Sequence, residues 1–109
     1  MREHNNRTIN DILSRVQEAA RENGVSLTYT NTKVFLSLLD YAEDHIDDAV
    51  RDIKGVRFHA TTLELARHCS ISPRIVTESL RKFSECGIIK YTTKRPRPSV
   101  ITIYKHFYE

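Results

Sequence analysis

The stretch from Cys69 to Pro73 limits the fold of this chain more than any other. Cys69-Ser-Ile-Ser-Pro73 separates two short apolar-periodic segments and leaves no room for a loop between them. Serine is a favoured N-cap, and proline fits the first helical position, whose N–H would have no partner anyway. A helix therefore restarts at Pro73. Before the break, Leu63, Leu65 and Ala66 predict a short helix from Leu63 to Cys69, capped by Thr61 or Thr62. After it, Ile75, Val76, Ser79, Leu80 and Phe83 predict an inward face ending near Glu85-Cys86-Gly87. Ile88 to Thr93 and Ser99 to Lys105 then read as two strands. Lys94-Arg95-Pro96-Arg97-Pro98 between them is kept irregular by its prolines, which makes a hairpin with a basic tip. Val56 to His59 alternates briefly and predicts one more short strand.

The first half reads as helical. Ile9, Ile12, Leu13, Val16, Ala19 and Ala20 share one face of a helix from Thr8 to Asn23, with Thr8 and Asp11 as its cap and Gly24 as its stop. Val25 to Tyr29 reads as an extended link. A second helical pattern opens at Asn31 or Thr32 and continues through Val34, Phe35, Leu38, Leu39, Ala42, Ile46, Ala49, Val50 and Ile53 to Lys54-Gly55, as one helix or two. Its polar side holds Asp40, Glu43, Asp44, Asp47, Asp48 and Asp52. Phosphate would be repelled there, so this side is expected to face away from nucleic acid, as a solvated surface or a protein-partner site.

Charge divides the chain in the same way. Residues 1–54 carry seven Lys or Arg against ten acids, whereas residues 55–109 carry ten against four. A basic half joined to an acidic half points to a polyanion-facing surface on one part only. Cys69 and Cys86 stand 17 positions apart, without the neighbouring Cys or His that a four-ligand zinc site requires, and read as buried free thiols. His59, His68 and His106 are scattered, so no metal or other cofactor is expected. No apolar run is long enough to span a membrane, and Met1 to Asn6 lacks the apolar stretch of a signal peptide; a cytoplasmic, nucleoid-associated protein is expected. With three glycines, no phosphate-cradling loop and no nucleophile–base pair, an enzyme is not expected.

The spacing of Leu65, Ile71, Ser72, Val76, Leu80, Phe83, Gly87, Ile88 and Ile89 resembles the winged helix-turn-helix superfamily. Within residues 61–90 these apolar positions match those that hold two helices at a fixed crossing, and the wider likeness covers roughly residues 32–106. The resemblance implies a mainly α fold with a small β-hairpin, a winged helix-turn-helix domain over residues 32–109, and an extra N-terminal amphipathic helix and link over residues 1–31. It implies a sequence-specific double-stranded DNA-binding protein acting as a transcriptional regulator. Similar domains also serve plasmid partition and the replication of plasmids or phages, and those alternatives stand.

In such a fold the second helix enters the major groove. Arg74, Thr77 and Glu78 would then reach base edges, through guanine, a thymine methyl and a cytosine amine respectively. Arg81 and Lys82 would meet phosphates, as would Thr61, Thr62 and Ser72 at the helix starts. Lys90 and the tip cations Lys94, Arg95 and Arg97 would follow the backbone or a narrow minor groove. For the helix cations a solvated face is the competing reading, and for Glu78 a local ion pair with Arg74 or Lys82. Tyr91, Tyr104, Phe107 and Tyr108 either stack on unpaired bases, which keeps single-stranded DNA as an alternative ligand, or pack the hairpin on the helices. The face of Ile9, Ile12, Leu13, Val16 and Ala20 serves a homodimer or closes the protomer's own core.

Overall fold

Local capping decides most of the helix boundaries. The computed structural model describes residues 6–44, 50–52, 55–92 and 99–108. Its elements run α1 (Asn6–Glu22), α2 (Tyr29–Asp44), β1 (Val50–Asp52), β2 (Gly55–Ala60), α3 (Thr62–Cys69), α4 (Pro73–Glu85), β3 (Ile89–Thr92) and β4 (Ser99–Tyr104), followed by a 3-10 turn at Lys105–Phe107. The helices α1, α3 and α4 end alike. The N–H groups of Val25, Ile71 and Ile88 reach back five residues to the carbonyls of Ala20, Ala66 and Phe83. Each closure passes through a left-handed residue: Gly24, Ser70 and Gly87. At Ser70, with φ 57°, a side chain occupies a position that ordinarily favours glycine.

The strands form one antiparallel sheet in the order β1-β2-β4-β3. The expected hairpin is thus its β3–β4 half. Ile101 and Ile103 of β4, Ile89 of β3, and Val56 and Phe58 of β2 point inward. They meet Val34, Phe35, Leu38 and Leu39 of α2, Leu65 of α3, and Val76, Leu80 and Phe83 of α4 in one core. Phe35 and Phe83 pack edge to face at 5.5 Å, a geometry that the ring quadrupoles favour.

Several sequence expectations need correction. Asn6 and Arg7 already belong to α1, so Thr8 lies inside the helix rather than at its cap. The link is shorter than expected: α2 starts at Tyr29, because Thr28 and Asn31 cap it reciprocally. The Asn31 N–H donates to Thr28 Oγ1 at 3.2 Å, and the Thr28 N–H to Asn31 Oδ1 at 2.9 Å. The helical pattern to Lys54 does not hold. Val50–Asp52 is a strand paired with β2, and Ile46, Ala49 and Ile53 lie outside the described residues. Gly55, at the start of β2, has room only for glycine: with φ 148°, a Cβ would collide with the backbone of Ile103. Glu43 leaves the acidic surface, being buried and accepting a hydrogen bond from the Tyr108 hydroxyl. Leu63 and Ile75, expected inside, are 51% and 37% exposed.

The N-terminal helix joins the same core. Ile12, Val16 and Ala20 are buried within the protomer, and Ile9 and Leu13 remain partly exposed. Arg15 Nη1 donates to the His106 carbonyl at 3.0 Å, tying α1 to the 3-10 turn. No helix among the described residues is long and apolar enough to cross a membrane.

Candidate nucleic-acid interface

The helix pair α3–α4 is held by two different caps. Thr61 Oγ1 accepts from the Glu64 N–H at 3.0 Å, and a Glu64 carboxylate oxygen accepts from the Thr61 N–H at 3.0 Å. This reciprocal box fixes the start of α3. Ser72 Oγ accepts from the Ile75 N–H at 3.4 Å, with Pro73 in the first turn of α4. Both hydroxyls are therefore engaged as acceptors of backbone N–H groups, and each keeps its own proton to donate. Thr62 and Thr61 are half-buried, and Ser72 is exposed.

The buried stripe of Val76, Ser79, Leu80 and Phe83 turns the opposite side of α4 outward. Arg74, Thr77, Glu78, Arg81, Lys82 and Glu85 line one open groove there. The structure thus brings together the outward residues expected on this helix, and adds Glu85. Arg74, Glu78 and Arg81 are exposed and Thr77 half-buried. Lys82 differs from its neighbours. Its Nζ lies 3.1 Å from the Ser26 carbonyl, 3.2 Å from Asn31 Oδ1 and 4.0 Å from a Glu78 carboxylate oxygen. With Glu78 and Glu85 set among Arg74 and Arg81, the groove has nearly balanced charge. Such a face attracts polyanions weakly from a distance and discriminates by direction at contact.

A second cationic surface lies on the sheet. Arg57 of β2 and Lys90 of β3 both pair in register with Thr102 of β4, so the three side chains form one row on the outer face, with Arg57 and Lys90 exposed. Of these two cations the sequence pattern singles out Lys90 and passes over Arg57. The signal for Arg57 is nonetheless present, because alternation in Val56-Arg-Phe-His59 puts Arg57 and His59 on the side opposite the core residues Val56 and Phe58. Lys94, Arg95 and Arg97 lie outside the described residues.

The aromatic residues divide. Phe107 and Tyr108 are buried in the core, and Tyr91 and Tyr104 pack against it from partly buried positions. Phe107 and Tyr108 are thus committed to packing rather than to stacking on bases. Cys69 and Cys86 are free and buried, as expected from their spacing, and burial pushes both thiols above the ordinary range. His68 Nε2 stands 3.5 Å from an Asp40 carboxylate oxygen, and its ring meets Tyr41 edge to face. One donor atom each from Asp40, Asp44 and His68 falls within 4.8 Å of the others, at the junction of α2 and α3.

No protein-family model matches the chain, and no curated protein does. Among solved structures, the ferric uptake regulator (Fur) of Vibrio cholerae, a protein with DNA-binding domains, is similar with a TM-score of 0.55 at 18% identity. The match covers 82% of this chain and 61% of that one, so the chain spans less than two thirds of the regulator's length. Together with the order α2, β2, α3, tight turn, α4, β3, β4, this likeness establishes the fold as a winged helix-turn-helix.

Proposed function

We propose that the chain is a double-stranded DNA-binding protein that reads sequence through α4 and acts as a transcriptional regulator, binding its target without chemical conversion. The observation that carries this reading is the open face of α4. A capped, exposed helix in a winged helix-turn-helix presents Arg74, Thr77, Glu78 and Arg81 side by side. In this reading Arg74 takes guanine bidentately, Thr77 meets a thymine methyl and Glu78 accepts from a cytosine amine. Arg81, the hydroxyls of Thr61, Thr62 and Ser72, the sheet cations Arg57 and Lys90, and the wing cations Lys94, Arg95 and Arg97 meet phosphates.

A homodimer is part of the proposal, because two half-sites about one helical turn apart raise the specificity that one small footprint offers. With Ile12, Val16 and Ala20 already buried in the protomer, a dimer through α1 has only Ile9 and Leu13 of that face to use. Sedimentation at tens of micromolar tests this, and a monomer there would remove the dimer from the proposal. The DNA reading is tested by measuring affinity for the duplex upstream of the protein's own gene, a random duplex and a poly-pyrimidine single strand at fixed salt. Preference for the upstream duplex is expected. Equal or tighter binding of the single strand would overturn it.

A further inference from the structure

Lys82 sits in the groove of α4, yet its ammonium is directed to the protein. It donates to the Ser26 carbonyl in the link between α1 and α2, at 3.1 Å, and to the Asn31 side-chain oxygen, at 3.2 Å. Asn31 is 3% exposed. Its oxygen also accepts from the Thr28 N–H at 2.9 Å, and its NH2 donates to Ser79 Oγ at 2.7 Å. The Ser79 hydroxyl in turn donates to the Ile75 carbonyl at 2.8 Å. The orientation of the amide is dictated by these partners, since the reverse one would set its NH2 against an ammonium and a backbone N–H. One buried side chain thereby joins the cap of α2, the middle of α4 and a cation on the flank of α4.

Apolar contacts alone leave a helix some freedom to roll or slide on its core. Directional hydrogen bonds to a buried amide restrict both, because each partner must keep its distance and angle. The link held by Ser26 and Thr28 also precedes α2 directly, so the tether joins α4 to the start of α2. We propose that Asn31, Ser79 and Lys82 form a positioning tether that fixes the pose in which α4 offers Arg74, Thr77 and Glu78, and that Lys82 is a part of this tether rather than a phosphate ligand. This inference rests on the DNA-binding reading for its consequence, and on the free protein for its existence.

Two measurements separate these. In the free protein, amide hydrogen exchange compares Lys82→Met, Ser79→Ala and Arg81→Met with the parent chain. Lys82→Met keeps most of the aliphatic stem, so folding is retained. Faster exchange at residues 26–31 and along α4 in Lys82→Met and Ser79→Ala, and unchanged exchange in Arg81→Met, is the expected result. Equal exchange in all of them would overturn the tether, whether or not the protein binds DNA. On DNA, affinity for the preferred and a random duplex is followed as salt rises from about 50 to 200 mM. Removing one phosphate ligand flattens the slope of log affinity against log salt by about 0.9. Arg81→Met is expected to show that flattening. Lys82→Met is expected to keep the parental slope and to lower the preferred-to-random ratio several-fold. A flattened slope in Lys82→Met would make Lys82 a phosphate ligand and overturn the proposal. If the parent chain shows no salt-dependent affinity at all, the DNA-binding reading fails, and the exchange result still decides the tether.

Discussion

The open face of α4 and the outer face of the sheet carry similar cations in different company. On α4, Arg74 and Arg81 share their groove with Glu78 and Glu85, and Lys82 is drawn aside by Asn31 and Ser26. On the sheet, Arg57 and Lys90 flank the neutral Thr102. A face of balanced charge gains little from a phosphate at a distance and gains from correctly directed partners at contact. A cationic row gains from any phosphate and discriminates little. Under the proposed function, this difference divides the labour: α4 would specify the site, and Arg57 and Lys90 on the sheet, together with Lys94, Arg95 and Arg97, would supply sequence-independent affinity.

The largest effect should come from removing the platform beneath both. Phe83 is fully buried against Phe35, and Phe83→Ala should cost about 3–5 kcal/mol of folding stability in chemical denaturation. Binding to every sequence should fall with it. Arg74→Ala should cost on the order of 1–3 kcal/mol on the preferred duplex only and relax preference at one base pair, with stability unchanged. Arg95→Ala with Arg97→Ala, and separately Arg57→Met with Lys90→Met, should weaken preferred and random duplexes alike. Each pair should flatten the salt dependence by about 0.9 for every phosphate it no longer neutralises. Normal binding by the wing double variant would remove the wing from the interface. The smallest effect belongs to the turn between α3 and α4, where Ser70→Gly relieves a left-handed serine. A gain of up to about 1 kcal/mol in stability with unchanged DNA preference is expected.

A pH titration of stability adds a test of the core beneath α4. Burial raises the thiols of Cys69 and Cys86 in the folded chain above the ordinary thiol range. The unfolded chain therefore releases those protons first. The stability they contribute is complete below the ordinary thiol value of about 8.5 and declines as pH rises from there toward the folded values. Cys69→Ala with Cys86→Ala should remove that part of the decline.

Legibility in the sequence follows locality. The turn Ser70-Ile-Ser72, the cap at Ser72, Pro73 at the start of α4 and the stop at Gly87 depend on residues adjacent in the chain, and the structure has each where the sequence predicts it. The segment after α2 is misleading because Val50 satisfies a helical period as readily as a strand. What decides between them reaches beyond the segment itself: β1 pairs with the following strand β2, and β2 is held at Gly55 by a close approach to Ile103 of the distant β4. Apolarity alone places Ile75 and Leu63 inside, although the stripe through Val76, Leu80 and Phe83 is too narrow to include Ile75. On the interface, the outward residues of α4 are readable from its period. The engagement of Lys82 is not, since Ser26 and Asn31 lie 56 and 51 residues away in sequence.

The central claim is that the exposed face of α4 reads duplex DNA. Its most direct test is the ratio of affinities for the preferred and a random duplex, measured for the parent chain and Arg74→Ala across about 50–200 mM salt. The account predicts that Arg74→Ala lowers this ratio by about fivefold or more, while the slope of log affinity against log salt stays that of the parent. An unchanged ratio, or a parent chain that binds both duplexes equally, would contradict it.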